Sequence, residues 1–303
     1  MKIIDAHAHL WLNVDTVVNG QPIHPIEPNR SRSLFFGEER QMLPPYMTDG
    51  QNTAERFLSN LDYAQVSAAV ITQEFMDGLQ NGYLQTVSQQ WPDRFFVFGM
   101  PDWREADYYQ SALSLIAKGF KGLKVPAARL PEDFLQQEEF RRVLFLMEGN
   151  DVILGIELHD GDAQTGMMEE LIQDFPRLKI AIGHFGMVTR PGWLSQIRLA
   201  RHKNVYVESG GITWLFNDEF YPYPSAIRAI KEAADEVGME KLMWGSDYPR
   251  TITAITYKMS YDFVTKSQEL TDDEKRMFLC DNAKQFFGFG ELIDLPYIKN
   301  MSE

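Results

Sequence analysis

The chain has 303 residues, of which 44% are hydrophobic and 13% aromatic, enough for one large barrel or two modest domains. Its formal charge of -14 comes from 29 Lys and Arg against 43 Asp and Glu, which argues against a nucleic-acid surface or a polybasic membrane patch, because both need concentrated positive charge. The one cysteine, Cys280, excludes an intramolecular disulfide framework and a cysteine-based zinc cluster.

The first residues lack the basic and apolar regions of a signal peptide, since a polar run follows Met1 almost at once. No stretch approaches the roughly 18 uninterrupted apolar residues of a transmembrane helix. We therefore expect a soluble, cytoplasmic protein whose cysteine stays reduced.

Short apolar runs rich in β-branched residues alternate with stretches of helical periodicity, which is typical of βαβ units and a parallel sheet. Eight runs are predicted as strands: 2–7, 67–72, 95–99, 119–125, 152–159, 178–184, 205–209 and 242–247. Helices are predicted at 53–61, 105–117, 138–147, 164–175, 222–237 and 271–287. This alternation predicts an α/β fold, a single (β/α)8 TIM barrel over residues 1–303, with its site at the C-terminal mouth.

The connection from Trp11 to Asn52 separates the first strand from its helix and far exceeds the usual βα loop of about two to six residues. Several prolines restrain it without building a helix. It carries aromatic and arginine side chains: Trp11, Phe35, Phe36, Tyr46, Arg30, Arg32 and Arg40. Because βα loops lie at the barrel mouth, we interpret 11–52 as a substrate-covering lid, with an ordinary surface excursion as the alternative.

Four of the six histidines fall at predicted barrel-mouth positions. His7 and His9 stand two apart at the end of the first strand, so both side chains leave one face and can bind one ion. Asp5 shares that face and is expected one layer deeper, supporting the site. His159 and His184 end the predicted strands 152–159 and 178–184.

Asp247 ends the last predicted strand, after Gly245 and Ser246. Imidazole nitrogens with a carboxylate oxygen suit Zn²⁺ or a similar divalent ion and leave a position open for water. Such a site activates water and polarises a carbonyl. Asp247 is a candidate proton carrier, and His184 is a candidate for acting on the substrate; the sequence alone does not separate these roles from metal binding.

Several segments together resemble the amidohydrolase superfamily, and more closely its amidohydrolase-related (amidohydrolase 2) branch of lactonases and of aminocarboxymuconate semialdehyde and resorcylate-type decarboxylases. They are Asp5-Ala-His-Ala-His-Leu-Trp, the strands that end at His159 and His184, Phe175-Pro-Arg-Leu-Lys-Ile-Ala-Ile-Gly-His-Phe-Gly, Trp244-Gly-Ser-Asp-Tyr-Pro and Asp281-Asn-Ala-Lys-Gln-Phe-Phe-Gly. The resemblance implies that His7, His9, His159 and Asp247 approach the metal. It also implies that His184 binds metal or acts on substrate.

Members of this superfamily with two metals often use a carbamylated lysine on the fourth strand, where Lys124 stands in this chain. The flanking Gly122-Leu-Lys-Val is more similar to the lactonase branch, in which a basic residue meets a substrate carboxylate. We therefore expect one divalent metal, Zn²⁺, and predict Lys124 as a substrate-anion contact, with a paired structural lysine as the alternative.

Further pocket residues are predicted near the mouth. Arg250 is a candidate clamp for a substrate carboxylate, with a surface salt bridge as the alternative. Trp214 is predicted to form part of the pocket wall, whereas Glu157 is interpreted as an interior paired carboxylate.

The sequence favours hydrolysis of a small lactone, ester or amide, carboxylated or sugar-acid derived, by metal-activated water. The main alternative is metal-dependent decarboxylation of a muconate-like or aromatic acid, and a third is an inactive barrel that only binds. The expected partner is a small acidic or sugar-derived molecule, without nucleic acid or membrane, and a homodimer is an assembly that the sequence allows.

Overall fold

The computed structural model describes residues 1–301 and 303. A ring of eight parallel strands forms its centre, and the first of them is β1 (Ile4–His9). In the sequence, a separate antiparallel sheet lies between β1 and the other seven strands. That sheet contains β2 (Thr16–Val18), β3 (Gln21–Pro25), β4 (Arg32–Phe35) and β5 (Glu38–Gln41). The remaining parallel strands are β6 (Ala68–Thr72), β7 (Phe95–Val97), β8 (Gly122–Val125), β9 (Ile153–Ile156), β10 (Ile180–Ile182), β11 (Val205–Glu208) and β12 (Leu242–Met243).

Two arcs make up the ring, one in the order β1-β6-β7 and the other in the order β8-β9-β10-β11-β12. Backbone hydrogen bonds join them at both gaps. On one side the Gly99 nitrogen donates to the Gly122 oxygen at 2.9 Å, and the Lys124 nitrogen donates to the Gly99 oxygen at 2.8 Å. On the other side the Ala6 nitrogen donates to the Trp244 oxygen at 2.8 Å. The predicted eight-stranded α/β barrel is therefore confirmed.

Inside the barrel, small residues make room for one aromatic ring. A Cβ added at Gly122 would lie 2.6 Å from the Phe98 ring, and one at Gly155 would lie 3.0 Å from it. Phe98 packs with Ile4, Val70 and other residues in a buried cluster along the barrel axis. The barrel is thus a packed core rather than a pore, and its chemistry is confined to the mouth.

Helices surround the ring, and their bounds are α1 (Ala54–Tyr63), α2 (Asn81–Gln90), α3 (Tyr108–Ala117), α4 (Glu138–Gly149), α5 (Thr165–Asp174), α6 (Trp193–Arg198), α7 (Ile212–Leu215), α8 (Pro224–Val237), α9 (Met259–Lys266), α10 (Asp272–Arg276) and α11 (Asn282–Phe287). All six predicted helices are present. The one predicted at 271–287 begins with a capping box between Thr271 and Glu274 and is interrupted by a π-helical segment, Met277–Asp281. No helix of the described residues is long and apolar enough to cross a membrane.

The long segment after β1 is more regular than the predicted lid-like loop, because β2 to β5 form a four-stranded antiparallel sheet in chain order. Two positive-φ pairs close its outer hairpins, Asn19-Gly20 (51° and 75°) and Phe36-Gly37 (50° and 83°), as type I′ turns require. Ile23 is fully buried and Val18 nearly so, which anchors the sheet to the body. Its last strands bring Phe35, Arg40 and Gln41 to the cavity at the barrel mouth.

Candidate metal centre and active site

Three donor atoms converge where β1 meets the loop after β12. The Nε2 atoms of His7 and His9 are 3.0 Å apart. One oxygen of Asp247, Oδ1, lies 3.3 Å from His9 Nε2 and 3.7 Å from His7 Nε2. Asp247 has a left-handed backbone (φ 56°), and its nitrogen donates to the His7 oxygen at 2.9 Å, so the loop is fixed to the strand it faces. The structure therefore brings these three predicted metal ligands together.

A carboxylate fixes the far nitrogen of each imidazole. His7 Nδ1 is 2.7 Å from Glu208 Oε1, and His9 Nδ1 is 2.6 Å from Asp77 Oδ2. Because an ionised carboxylate only accepts hydrogen bonds, we assign the Nδ1 proton to both rings, which leaves both Nε2 atoms to face the Asp247 oxygen. Carboxylate-oriented imidazoles of this kind are typical of metal ligands, so the residues present fit a divalent ion.

The charges around this triad favour a cation. Burial alone would lower the pKa of His9, but the carboxylates of Asp77 and Asp247 raise it well above its usual value. Burial lowers the pKa of His7 despite the opposing effect of Glu208. An imidazole ligand must be unprotonated on the nitrogen that faces the ion, so metal binding at His9 would compete with its protonation.

Asp5 supports the triad from below. It is fully buried, and its carboxylate accepts hydrogen bonds from the nitrogens of Ser246 (2.8 Å) and His7 (3.1 Å) and from the Tyr257 hydroxyl (2.7 Å). Burial raises the pKa of Asp5 to about 7, although these hydrogen bonds oppose the shift. As expected from the sequence, Asp5 lies one layer deeper, and it ties β1 to the loop that carries Asp247.

A second set of ionisable groups adjoins the first. Lys124 Nζ lies 2.5 Å from Glu157 Oε1, and the same oxygen lies 3.3 Å from His184 Nε2. His184 Nδ1 contacts the Gly210 carbonyl at 2.9 Å and therefore carries a proton. Burial would lower the pKa of His184, but Glu157 raises it to about 9, so this imidazole is charged at neutral pH. This buried ion pair fits the alternative prediction for Lys124, that of a paired structural lysine.

Glu157 is more than a partner for Lys124. Burial would raise its pKa, but Lys124 and His184 lower it well below the usual value. Glu157 Oε1 lies close to Lys124 and His184 but receives no hydrogen bond of suitable angle from the described residues. This buried oxygen is therefore able to accept a further hydrogen bond. His7, Glu157 and His184 form a second group of donor atoms close enough to hold a cation.

The turn that carries His184 is strained. His184, Phe185, Gly186 and Met187 are four consecutive residues with left-handed backbone, with φ values of 56°, 52°, 63° and 56°. Such residues normally occur singly, because each non-glycine position costs roughly 1–2 kcal/mol. The buried Phe185 ring stacks on Trp193 and holds the turn in place. Strain maintained in this way is typical of functional sites, and here it fixes the direction of the His184 ring.

His159 stands apart from both donor groups. Its Nε2 lies 3.1 Å from the Leu130 oxygen, and its ring lines the cavity wall. The strand predicted to end at His159 ends at Ile156, so Glu157 takes the mouth position that the sequence had assigned to the histidine. The structure does not bring His159 to the other predicted ligands.

A cavity of about 760 Å³ opens above these groups. Arginines from three separate segments line it: Arg40, Arg129 and Arg250. Arg40 is 2.7 Å from Glu38, and Arg129 is 3.1 Å from Glu74. Arg250 has no ion-pair partner within residues 1–301 and 303; its guanidinium lies 3.6 Å from the centre of the Trp214 ring. The two predicted pocket residues, Trp214 and Arg250, thus lie together at the mouth.

Sequence reasoning missed the carboxylates that orient the two imidazoles, Asp77 and Glu208. Glu208 could have been found, because it is the last residue of β11 and so faces the mouth. Asp77 lies in a short 3-10 helix after β6, where it bonds to the Glu74 nitrogen, and no spacing in the sequence points to it. Arg129 also went unnoticed, since its segment follows β8 without a recognisable motif.

Solved structures of other proteins share this fold over most of the chain. The chain matches a probable 2-pyrone-4,6-dicarboxylic acid hydrolase of Acinetobacter baumannii, solved with citric acid bound, at 21% identity and a TM-score of 0.69, covering 95% of this chain and 100% of that one. It matches a zinc-bound amidohydrolase of Burkholderia multivorans at 16% identity and a TM-score of 0.68, covering 95% and 99%. It matches 5-carboxyvanillate decarboxylase of Sphingomonas paucimobilis at 17% identity and a TM-score of 0.60, covering 81% and 86%.

No protein of curated function matches the sequence. The sequence pattern of the family described as amidohydrolase matches residues 4–289, nearly the whole chain. Members of this family are enzymes that typically bind a divalent metal. The chain is therefore an enzyme that belongs to the amidohydrolase family.

Proposed function

We propose that this enzyme is a metal-dependent hydrolase that opens a small carboxylated lactone. The observation that carries the proposal is the His7, His9 and Asp247 triad, two of whose members, His9 and Asp247, line a cavity that three arginines also line. The triad fits a divalent ion, and an arginine suits a carboxylate because its planar donors match both oxygens. A lactone with one or more carboxylates satisfies both parts of the cavity.

We propose a single Zn²⁺, held by His7, His9 and Asp247. Nitrogen and carboxylate donors suit this ion, and when bound it would supply Lewis acidity to a carbonyl and to water. The carbamylated lysine of two-metal members needs a neutral amine, whereas Lys124 forms a buried ion pair with Glu157 at 2.5 Å. The His159 ring contacts the Leu130 carbonyl instead of the other three donors. A metal role for His159 therefore stays a prediction.

Asp247 is proposed to move the proton. Burial would raise its pKa, but the hydrogen bond with His9 and the charges of His184 and His9 lower it, so it is a carboxylate at neutral pH. It can therefore accept a proton from the attacking water and deliver it to the ring oxygen that leaves. The single product is a hydroxy acid. The hydroxide of the water becomes part of the new carboxylate, and its proton goes to the ring oxygen, which becomes the new hydroxyl group.

His184 is proposed to stabilise the charge that develops on the lactone carbonyl. Its imidazole is charged, lines the cavity and is held in one orientation by the Gly210 carbonyl and the strained turn. A cationic donor that does not need to reorganise stabilises a developing oxyanion efficiently. In this proposal His184 does not bind the metal, which is held by His7, His9 and Asp247.

The similar structures include enzymes of both reaction types, and the alignment with the hydrolase is the longer one. The pyrone dicarboxylic acid hydrolase aligns over 95% of this chain with a TM-score of 0.69, and the 5-carboxyvanillate decarboxylase over 81% with a TM-score of 0.60. The citric acid bound to the former is itself a polycarboxylate. Decarboxylation remains the second candidate, because the charged His184 at the cavity could instead protonate a carbon that loses CO₂.

The test is a substrate comparison with zinc-loaded enzyme. We expect carboxylated lactones to be hydrolysed, and the same lactone rings without a carboxylate to show at least about tenfold lower kcat/KM, the scale of one lost charge-assisted contact. Asp247→Asn should remove activity, whereas Asp160→Asn, at an exposed aspartate of the same cavity, should retain it. Release of CO₂ from carboxylated aromatics without lactone hydrolysis would replace this proposal with the second candidate. Zinc-loaded protein inert toward both classes would leave a barrel that only binds.

A further inference from the structure

The loop after β11 returns across the barrel mouth and places an indole over the proposed proton carrier. Trp214, on the short helix α7, donates from Nε1 to Asp247 Oδ2 at 2.6 Å. The acceptor is an ionised carboxylate, so this is a charge-assisted hydrogen bond of the stronger class. Because Oδ2 is engaged, Oδ1 is the oxygen that faces His7 and His9.

Two glycines permit this path of the chain. Gly211 has φ of 72°, and a Cβ there would lie 1.7 Å from Trp214 Nε1. A Cβ at Gly210 would lie 2.9 Å from His7 Nδ1 and 2.8 Å from Glu208 Oε2. Any larger residue at Gly211 would push the indole away from Asp247. The two glycines therefore allow the chain to turn Trp214 back over the site.

The face of the same indole also contacts the guanidinium of Arg250 at the cavity entrance. The Arg250 guanidinium lies 3.6 Å from the Trp214 ring centre, within the range of a cation–π contact. The indole also contacts the His184 ring at a steep angle, with ring centres 6.1 Å apart and ring planes 63° apart. Trp214 thus touches the proposed proton carrier, the proposed oxyanion donor and the arginine proposed to meet the substrate.

We propose that Trp214 is a positioning residue: its N–H holds Asp247 with Oδ1 toward the metal, and its ring face holds Arg250 toward the substrate carboxylate. The two roles use different parts of one side chain and can be separated. The inference rests on the proposed function for the reaction that Asp247 performs, but the hydrogen bond itself can be tested without a substrate.

Trp214→Phe separates the roles, because it keeps an aromatic face under Arg250 and removes the N–H. We expect the zinc Kd of the apo-protein to rise about 10–100-fold, as for other groups that orient a metal ligand. We expect kcat at saturating zinc to fall by a similar factor while KM for a carboxylated lactone stays within about threefold. Arg250→Met should do the opposite, raising KM about tenfold or more with zinc affinity unchanged.

Trp91→Phe is the matched control, since this half-buried tryptophan ends α2 and contacts Phe95 instead of the site. A third measurement reads the hydrogen bond directly. In protein labelled with ¹⁵N-tryptophan, the indole N–H signal that disappears in Trp214→Phe should move in Asp247→Asn and stay in Trp91→Phe.

The outcomes distinguish this inference from the proposed function. If no lactone is hydrolysed but Trp214→Phe weakens zinc binding, the proposed reaction is wrong and the positioning role stands. If the wild type hydrolyses lactones and Trp214→Phe changes only KM, Trp214 is merely pocket wall. A zinc Kd unchanged in Trp214→Phe, or an indole signal unmoved in Asp247→Asn, also overturns the inference.

Discussion

Removing the carboxylate behind His9 should weaken metal binding without touching a metal ligand. Asp77 is almost buried, and its Oδ2 receives the His9 Nδ1 hydrogen bond at 2.6 Å. In Asp77→Ala the ring loses both its orientation and the negative charge that raises its pKa. Groups in this position typically contribute 10–100-fold to metal affinity, so we expect the zinc Kd to rise by that factor, about 1.4–2.7 kcal/mol.

The measurement is a titration of apo-protein with Zn²⁺ in competition with a chromophoric chelator. Asp77 also accepts from the Glu74 nitrogen at 2.9 Å, so Asp77→Ala could act by loosening that turn. Asp77→Asn separates the two effects, because its amide oxygen still accepts both hydrogen bonds but carries no charge, and we expect an intermediate Kd. Asp93→Ala changes an exposed aspartate and serves as control. A wild-type zinc Kd in Asp77→Ala would refute the assignment of His9 as a metal ligand oriented by Asp77.

Three further predictions concern stability. Lys124→Met should lower the free energy of unfolding by about 3 kcal/mol in a urea titration, because buried Glu157 loses its nearest cationic partner and keeps only His184, and Glu157→Leu in the same chain should recover part of the loss. Gly122→Ala should cost about 1–3 kcal/mol by overpacking against Phe98, and a relieving Phe98→Leu should make the alanine less costly; an additive double variant would contradict this. Gly20→Val should cost about 1–2 kcal/mol in the β2–β3 hairpin alone, seen as roughly 5–30-fold faster hydrogen exchange there with unchanged exchange in the barrel strands.

The barrel was predictable because its signal is repeated eight times. Most of the buried parallel strands are short runs of apolar residues, and every one of the eight predicted runs contains a strand. The ends of the runs were less certain. The predicted strand 152–159 ends at Ile156, although Glu157 and Leu158 remain buried. Burial continues past the end of the strand, so hydrophobicity cannot tell where a barrel strand ends.

The position of this strand end decides which residue is expected at the mouth. Counting the mouth from the end of the apolar run selected His159, whereas the true end of β9 selects Glu157, which faces His7 and His184. The antiparallel sheet was missed for another reason. Its Asn19-Gly20 pair is a strong hairpin signal, but three-residue and four-residue strands with exposed sides carry too little alternation to be recognised beside it.

The charges around the site explain why its parts are mutually dependent. Four carboxylates, Asp77, Glu157, Glu208 and Asp247, lie against three cationic side chains, Lys124, His184 and His9. Asp5 adds another buried carboxylate beneath them. Carboxylates therefore outnumber cations around the triad, which favours a divalent ion in a way that no single ligand supplies. A substrate carboxylate entering this acidic site needs a cation of its own, and Arg250 on Trp214 is the arginine of the cavity without an ion-pair partner among the described residues.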